Sequence, residues 1–458
     1  VLTFYFTAST IITALLAAAT AINFYYIYTS YIQRPEMPNV DLDFWWGQSD
    51  KSQQNTAIRP FRIHFTDAME EQFRRKSDLY RQRDNRPSFR ETAWTYGVHS
   101  KSLKKIFAEW IFEYKFRERQ NYFNQYDHFK TNIQGLDIHY VHVKPKVTEN
   151  VVVLPILLMH GWPGSIKEFY EVIPILTTPK PEYDFVFEVI VPSLPGFGYS
   201  EATYKPGLSP AQVAVIMRNL MQRLGFKQYL IQGGDYGSAV GTHMATLFPN
   251  EVIGFHTNFP MDATPIGAVQ TVLHAAWQAL WGGEPFWDKV KFYIEESGYI
   301  HLQGTKPDTI GIGLNESPAG LLAYILDKWL IFTDPENKFD RHGGLYKNFN
   351  HTDLLDNVML YWAPGCITTA MRLYKESINS QLEKDLAVFP TPVPTWALKL
   401  KHELVHQPDF ILRRKFTNLL GSTELSDGGH FAAFEKPEEL SEDVFKSVKK
   451  FLEFYEKQ

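Results

Sequence analysis

Cysteine is nearly missing. Cys366 is the only one in 458 residues, so no internal disulfide can form, and a fold stapled by such bridges in an oxidising compartment is excluded. No Cys/His motif surrounds it, and Cys366 reads as a buried structural thiol. Long basic runs are missing too, and with a net charge of −5 the chain is not built to bind nucleic acid. Internal repeats and low-complexity tracts are absent. The longest gap in charge lies at the start: no charged side chain precedes Arg34.

That uncharged opening, from Thr3-Phe4-Tyr5-Phe6 to Tyr28, is long enough to span a bilayer as a helix of about 20 residues. Tyr25, Tyr26 and Tyr28 fit an interfacial aromatic belt. The rival reading is a cleaved signal peptide, with Ala17-Ala18-Ala19 near the cut, but the basic start and shorter apolar core of such a peptide are missing. Residues 1–33 are therefore expected to form a transmembrane anchor. Arg34 is the only positive side chain near either flank, which favours a cytoplasmic catalytic domain. In the opposite orientation the sequons at Asn315 and Asn350 would be open to glycosylation.

Hydrophobic residues make 44% of the chain, enough for a sizeable core. Residues 34–128 read as an N-terminal extension. It has a Pro-rich, then aromatic linker, followed by helical periodicity over Asp67–Arg83 and Ser102–Arg119. From Phe129 the period changes to that of strands, with a hairpin around Gln134-Gly135-Leu136. Apolar runs then alternate with helix-like segments: Leu154–His160, Phe187–Pro192, Tyr229–Gln232, Val252–Phe259, Val393–Leu400 and Phe416–Leu420. Such alternation predicts an α/β fold with a mostly parallel central sheet and helices on both faces. Residues 129–262 and 366–458 are assigned to that core. Residues 263–365, rich in Trp, Tyr and Phe, interrupt it as a helical cap over the carboxyl ends of the strands.

The chemistry centres on Gly233-Gly234-Asp235-Tyr236-Gly237, a sharp turn between the run Tyr229–Gln232 and a helix-like segment. This is the form of a nucleophile elbow, but with Asp where Ser is usual. Serine must lose a proton before it attacks; a carboxylate with an ordinary pKa of about 3.9 is already ionised at neutral pH. It can displace directly at a saturated carbon, as in an epoxide or a carbon–halogen bond, and leave an ester. His160-Gly161-Trp162-Pro163 follows another strand and can aim backbone N–H groups at an oxyanion. His430, in Ser426-Asp427-Gly428-Gly429-His430, stands where this architecture places its base. Its acid partner belongs after the penultimate strand: Glu403 is favoured over Asp409 and Asp262. Glu403 also lies within His402-Glu403-Leu404-Val405-His406, the spacing of a zinc protease. Zinc binding would need both imidazoles on one helix face, and the strand before and Pro408 after argue against a helix there. An opened epoxide also needs a proton donor. A cap tyrosine suits that task, although the residues alone do not single one out.

Taken together, His160–Pro163, Gly233–Ser238, the segment from Gly298-Tyr299-Ile300-His301 to Asp308-Thr309, Arg372-Leu373-Tyr374-Lys375-Glu376, His402–His406 and Gly428–Phe431 resemble the microsomal-type epoxide hydrolases of the α/β-hydrolase fold. Within that family the chain is most similar to the insect juvenile hormone epoxide hydrolases. The resemblance implies an enzyme of the endoplasmic reticulum membrane that turns an apolar epoxide, juvenile hormone or a similar terpenoid, into a diol, with no metal or organic cofactor. It implies Asp235 as nucleophile, His430 as base oriented by Glu403, Tyr299 and Tyr374 as proton donors, and the N–H groups of Trp162 and Tyr236 as the oxyanion hole. One position departs from the family, which usually has Trp where Tyr236 stands. That departure counts against a haloalkane dehalogenase, which uses a Trp there to hold the halide. A general detoxifying epoxide hydrolase is the other alternative.

Overall fold

A computed structural model describes residues 36–82, 87–147, 151–283, 285–347 and 349–457, with a few isolated positions before residue 36. The anchor expected over residues 1–33 therefore falls almost wholly outside the described residues. Among those described, no helix is long and apolar enough to cross a membrane.

The strands described are β1 (Arg59–Phe61), β2 (His128–Ile133), β3 (Leu136–Val143), β4 (Val152–Met159), β5 (Phe185–Pro192), β6 (Tyr229–Gly233), β7 (Val252–Thr257), β8 (Thr395–Leu400) and β9 (Leu419–Leu425). They form one sheet in the order β1-β2-β3-β5-β4-β6-β7-β8-β9. The first four in that order pair antiparallel, and all pairs from β5 to β9 are parallel. The central β4 and β6 read as apolar runs rather than alternating ones because helices cover both faces of the sheet. The hairpin turn expected at Gln134-Gly135 is made with both residues at positive φ, 50° and 88°, the twist that a two-residue hairpin loop requires.

Two expectations are corrected. The last strand is Leu419–Leu425, not Phe416–Leu420: Phe416 instead caps the helix Asp409–Lys415. The helix expected over Ser102–Arg119 is two, Ser100–Phe112 and Phe116–Phe123. A continuous helix would put Phe112 and Phe116 on one face. The break leaves Phe112 exposed and buries Tyr114 and Phe116 in the core. The strand β1, which the sequence did not predict, pairs with β2 and ties the extension into the sheet.

Between β7 and β8 the chain is helical, from Pro265–Leu280 through Ile367–Asn379 to Gln381–Ala387. The helix Pro318–Thr333 is buried on most of its surface and seats this insertion on the core. The helices Pro265–Leu280 and Phe286–Glu296 instead keep Leu273, Trp277, Leu280, Trp287 and Ile294 exposed.

Candidate active site

The register of the sheet brings the site together. Met159 pairs with Gly233, so β4 and β6 end level, and the turns that follow them meet. One is the turn His160–Pro163; the other is the elbow. Asp235 has φ +47°, a left-handed conformation that few side chains other than Asn and Asp adopt, and it opens the helix Asp235–Leu247. The crowding explains two glycines. A Cβ on Gly237 would come 2.0 Å from the Met159 carbonyl, and one on Gly161 would come 2.0 Å from Asp235 Oδ1. With no side chain at 161, the Trp162 N–H donates to Asp235 Oδ1 at 2.8 Å. Tyr236, the other expected oxyanion donor, lies in the first turn of the elbow helix, where a backbone N–H has no intrahelical acceptor.

Leu400 pairs with Leu425, so β8 and β9 also end level. Glu403 and His430 lie just past those ends. His430 Nδ1 donates to Glu403 Oε1 at 2.6 Å, and His430 Nε2 is 3.3 Å from Asp235 Oδ2. Burial alone would lower the imidazole; the charges of Glu403 and Asp235 outweigh it and hold the group well above the ordinary histidine range. The two rival acids are committed elsewhere. Asp262 accepts from the backbone and hydroxyl of Thr264, and Asp409 is paired with Lys399 at 2.6 Å. The segment His402–His406 is turn and extended loop, with the next helix starting at Asp409. His402 and His406 thus share no helix face, and Glu403 is turned to His430 instead. The zinc reading lacks its geometry.

Tyr299 comes from the short helix Gly298–Thr305 and Tyr374 from Ile367–Asn379. Their rings meet at 5.8 Å and 78°, and the Trp162 indole stacks on Tyr299 at 5.3 Å. Tyr236 packs edge-on against Tyr374 at 4.9 Å. Burial first raises both phenols above their ordinary range; for Tyr299 the Asp235 charge comes next, and for Tyr374 the neighbouring Tyr299 and then Asp235. Both hydroxyls therefore keep their protons near neutral pH. Asp235, Tyr236, Tyr299 and Tyr374 line a cavity of about 1140 Å³, walled by Phe259, Phe292, Phe332 and Leu404 and reaching His243, Glu383 and Lys415 at another end.

Sequence reasoning missed Glu435. Its carboxylate accepts from the backbone N–H groups of Gly429 and Phe431 at 2.9 and 3.1 Å, clasping the loop that carries His430. Burial pushes this carboxyl up to about 8, against the pull of those two N–H groups. Among 51 acidic residues no local pattern marks it; only the folded loop does.

An Asp elbow, a Glu–His pair and a helical insertion on a mostly parallel sheet define a capped α/β-hydrolase. A family model for the epoxide hydrolase N terminus matches residues 58–169, and one for the alpha/beta hydrolase fold matches residues 155–292. The juvenile hormone epoxide hydrolase of Bombyx mori is 46% identical over 91% of this chain and 92% of its own. Juvenile hormone epoxide hydrolase 2 of Ctenocephalides felis is 45% identical over 92% of this chain and 91% of its own. The crystal structure of the Bombyx mori enzyme superposes with a TM-score of 0.87 at 44% identity, covering 91% of this chain and all of that one. The chain belongs to the epoxide hydrolase family and is an epoxide hydrolase.

Proposed function

We propose that the chain opens an apolar terpenoid epoxide, juvenile hormone or a close analogue, to a diol through an ester on Asp235. One observation carries the reading: a carboxylate on a strained elbow shares the lining of a large apolar cavity with two protonated tyrosines. Asp235 attacks an epoxide carbon. Tyr299 and Tyr374 hold the epoxide oxygen, and one of them donates its proton as the ring opens. His430, oriented by Glu403, then takes a proton from water, which attacks the ester carbonyl. The N–H groups of Trp162 and Tyr236 receive the oxyanion. The substrate class rests on the named relatives and on the size of the cavity.

Isotope tracing tests the route. In a single turnover in ¹⁸O-water the first diol is expected to be unlabelled, because its new oxygen comes from Asp235, while the label enters the Asp235 carboxylate. A labelled first diol would mean that water attacks the epoxide directly. Run with a terpenoid and an aryl epoxide, the same assay separates the substrate classes: turnover faster with the aryl compound favours a general detoxifying role.

We also propose that the uncharged run before Arg34 holds the chain in the endoplasmic reticulum membrane, with the catalytic domain on the cytoplasmic side. The full chain should then resist extraction from microsomes at alkaline pH and leave only with detergent; release by alkali alone would count against the anchor. Protease added outside intact microsomes should digest the domain, and protection of the domain would reverse the orientation.

A further inference from the structure

Glu168 is a buried carboxyl with no part in the roles above. It sits in the 3₁₀ turn Ile166–Phe169, just past the turn that supplies the Trp162 N–H. It is 9% exposed, and its Oε1 is buried without a hydrogen-bond partner. Room for the carboxyl is made by Gly164, where a Cβ would fall 1.6 Å from Oε1. Glu168 also lines a small pocket of about 10 Å³ with Asp235, His430, Gly161 and Asn258, about the room one water needs. His430 lines that pocket as well, and its Nε2, 3.3 Å from Asp235 Oδ2, makes no well-aligned hydrogen bond. A buried carboxyl oxygen with no partner and the imidazole expected to act as base, both lining a water-sized space beside the nucleophile, describe a binding site.

We propose that Glu168 positions the hydrolytic water, gripping it together with His430 in this pocket. The proposal rests on the aspartyl-ester reading. One O–H of the water donates to His430 Nε2 and the other to Glu168 Oε1, which turns an oxygen lone pair toward the Asp235 carbonyl carbon. On attack the first proton passes to His430, and Glu168 takes none. When the tetrahedral adduct collapses, the C–O bond to the alkyl oxygen breaks, and that oxygen takes the proton from His430 to complete the diol. The proton left on the Asp235 carboxyl returns to the tyrosine that gave up its own. Burial pushes the Glu168 carboxyl up to about 8, the His430 charge pulls it down, and the Asp235 charge adds to the rise. The water's donation needs only a lone pair on Oε1, which the carboxyl keeps in either protonation state.

The test is a single-turnover experiment on the full chain with a terpenoid epoxide, following the Asp235 ester by intact mass and the diol by chromatography. In Glu168→Ala, ester hydrolysis is expected to slow about 10- to 100-fold while ester formation stays within about threefold of wild type. Glu168→Gln keeps the shape and an acceptor oxygen, and should recover part of the loss. Glu168→Asp draws the carboxylate back by one methylene and gives the same reading if the alanine variant melts early. Hydrolysis within about threefold of wild type in all variants, or equal slowing of both steps, overturns the proposal. His430→Gln run alongside separates the two ideas. If no ester forms there, the aspartyl-ester reading fails and takes this one with it; if ester forms there and hydrolysis ignores Glu168, only the water site is wrong.

Discussion

Asp235→Ala is expected to remove turnover, with a loss of about 10⁴-fold or more, in line with what deleting a covalent nucleophile costs elsewhere. No other side chain can take its place. The elbow presents one carboxylate, held by the Trp162 N–H on one side and by His430 on the other. Glu403 is buried behind His430, and Glu168 lies off the large cavity in its own pocket. Without Asp235 the remaining route is water delivered by His430 straight to the epoxide, with no ester to divide the barrier. The alanine must also adopt φ +47°, where it lacks the local hydrogen bonding that lets Asp and Asn sit there. Asp235→Asn therefore serves as the control that keeps the backbone. Both variants should be assayed for diol at high enzyme concentration, with a thermal melt to show that they are folded. Retention of more than a tenth of wild-type turnover, a loss of less than about 1.4 kcal/mol in barrier height, would rule out Asp235 as the nucleophile.

His430→Gln should separate the two half-reactions. Ring opening uses the Asp235 carboxylate and the tyrosines, so an ester of about one equivalent per enzyme is expected. Hydrolysis needs a base, so the ester should persist, and steady-state turnover should fall about 10²- to 10⁴-fold. Intact mass followed by peptide mapping would place the adduct. A variant that shows neither burst nor adduct would mean that His430 acts before ring opening. The same background isolates the proton donors: adding Tyr299→Phe or Tyr374→Phe should slow the appearance of the adduct without affecting its decay. The pH dependence has a fixed sign. In the free enzyme two carboxylates hold His430 protonated. Esterification cancels the Asp235 charge and lets the imidazole fall toward neutral, the form that can accept a proton. In wild type, hydrolysis should therefore quicken as pH rises through the His430 pKa of the ester state. In His430→Gln that limb should vanish.

The parallel core was legible because its strands are unbroken apolar runs between turn signals, and the elbow was legible because its glycines are forced by contact. Glu403 could be chosen over Asp262 and Asp409 because it follows closely on the penultimate strand, where the chain order of nucleophile, acid and base places the acid. Other parts left little trace. The strand β1 is Arg59-Pro60-Phe61, three residues whose proline fits only an edge. The strand β9 contains Gly421 and Glu424 and is half exposed, so the more apolar Phe416–Leu420 drew the assignment away from it. Tyr299 and Tyr374 stand among many aromatic residues of the helical insertion, and only the resemblance to a family picked them out. Glu168 and Glu435 escaped entirely. Each is an ordinary acidic residue until the fold buries it beside His430.

The N-terminal extension also clasps the helical insertion. Tyr114 and Arg119 of the extension bond the buried Asp356 at 2.7 and 3.0 Å. The next residue, Asn357, holds the Pro163 carbonyl at 2.7 Å and the Ser165 hydroxyl at 2.6 Å. Pro163 closes, and Ser165 follows, the turn whose Trp162 N–H grips Asp235. A segment of the extension is thus a buttress of the turn that holds Asp235. Removing it would strand the Asp356 charge in the interior without its partners, the costly way to break an ion pair, and would slacken the frame on which the nucleophile is aimed.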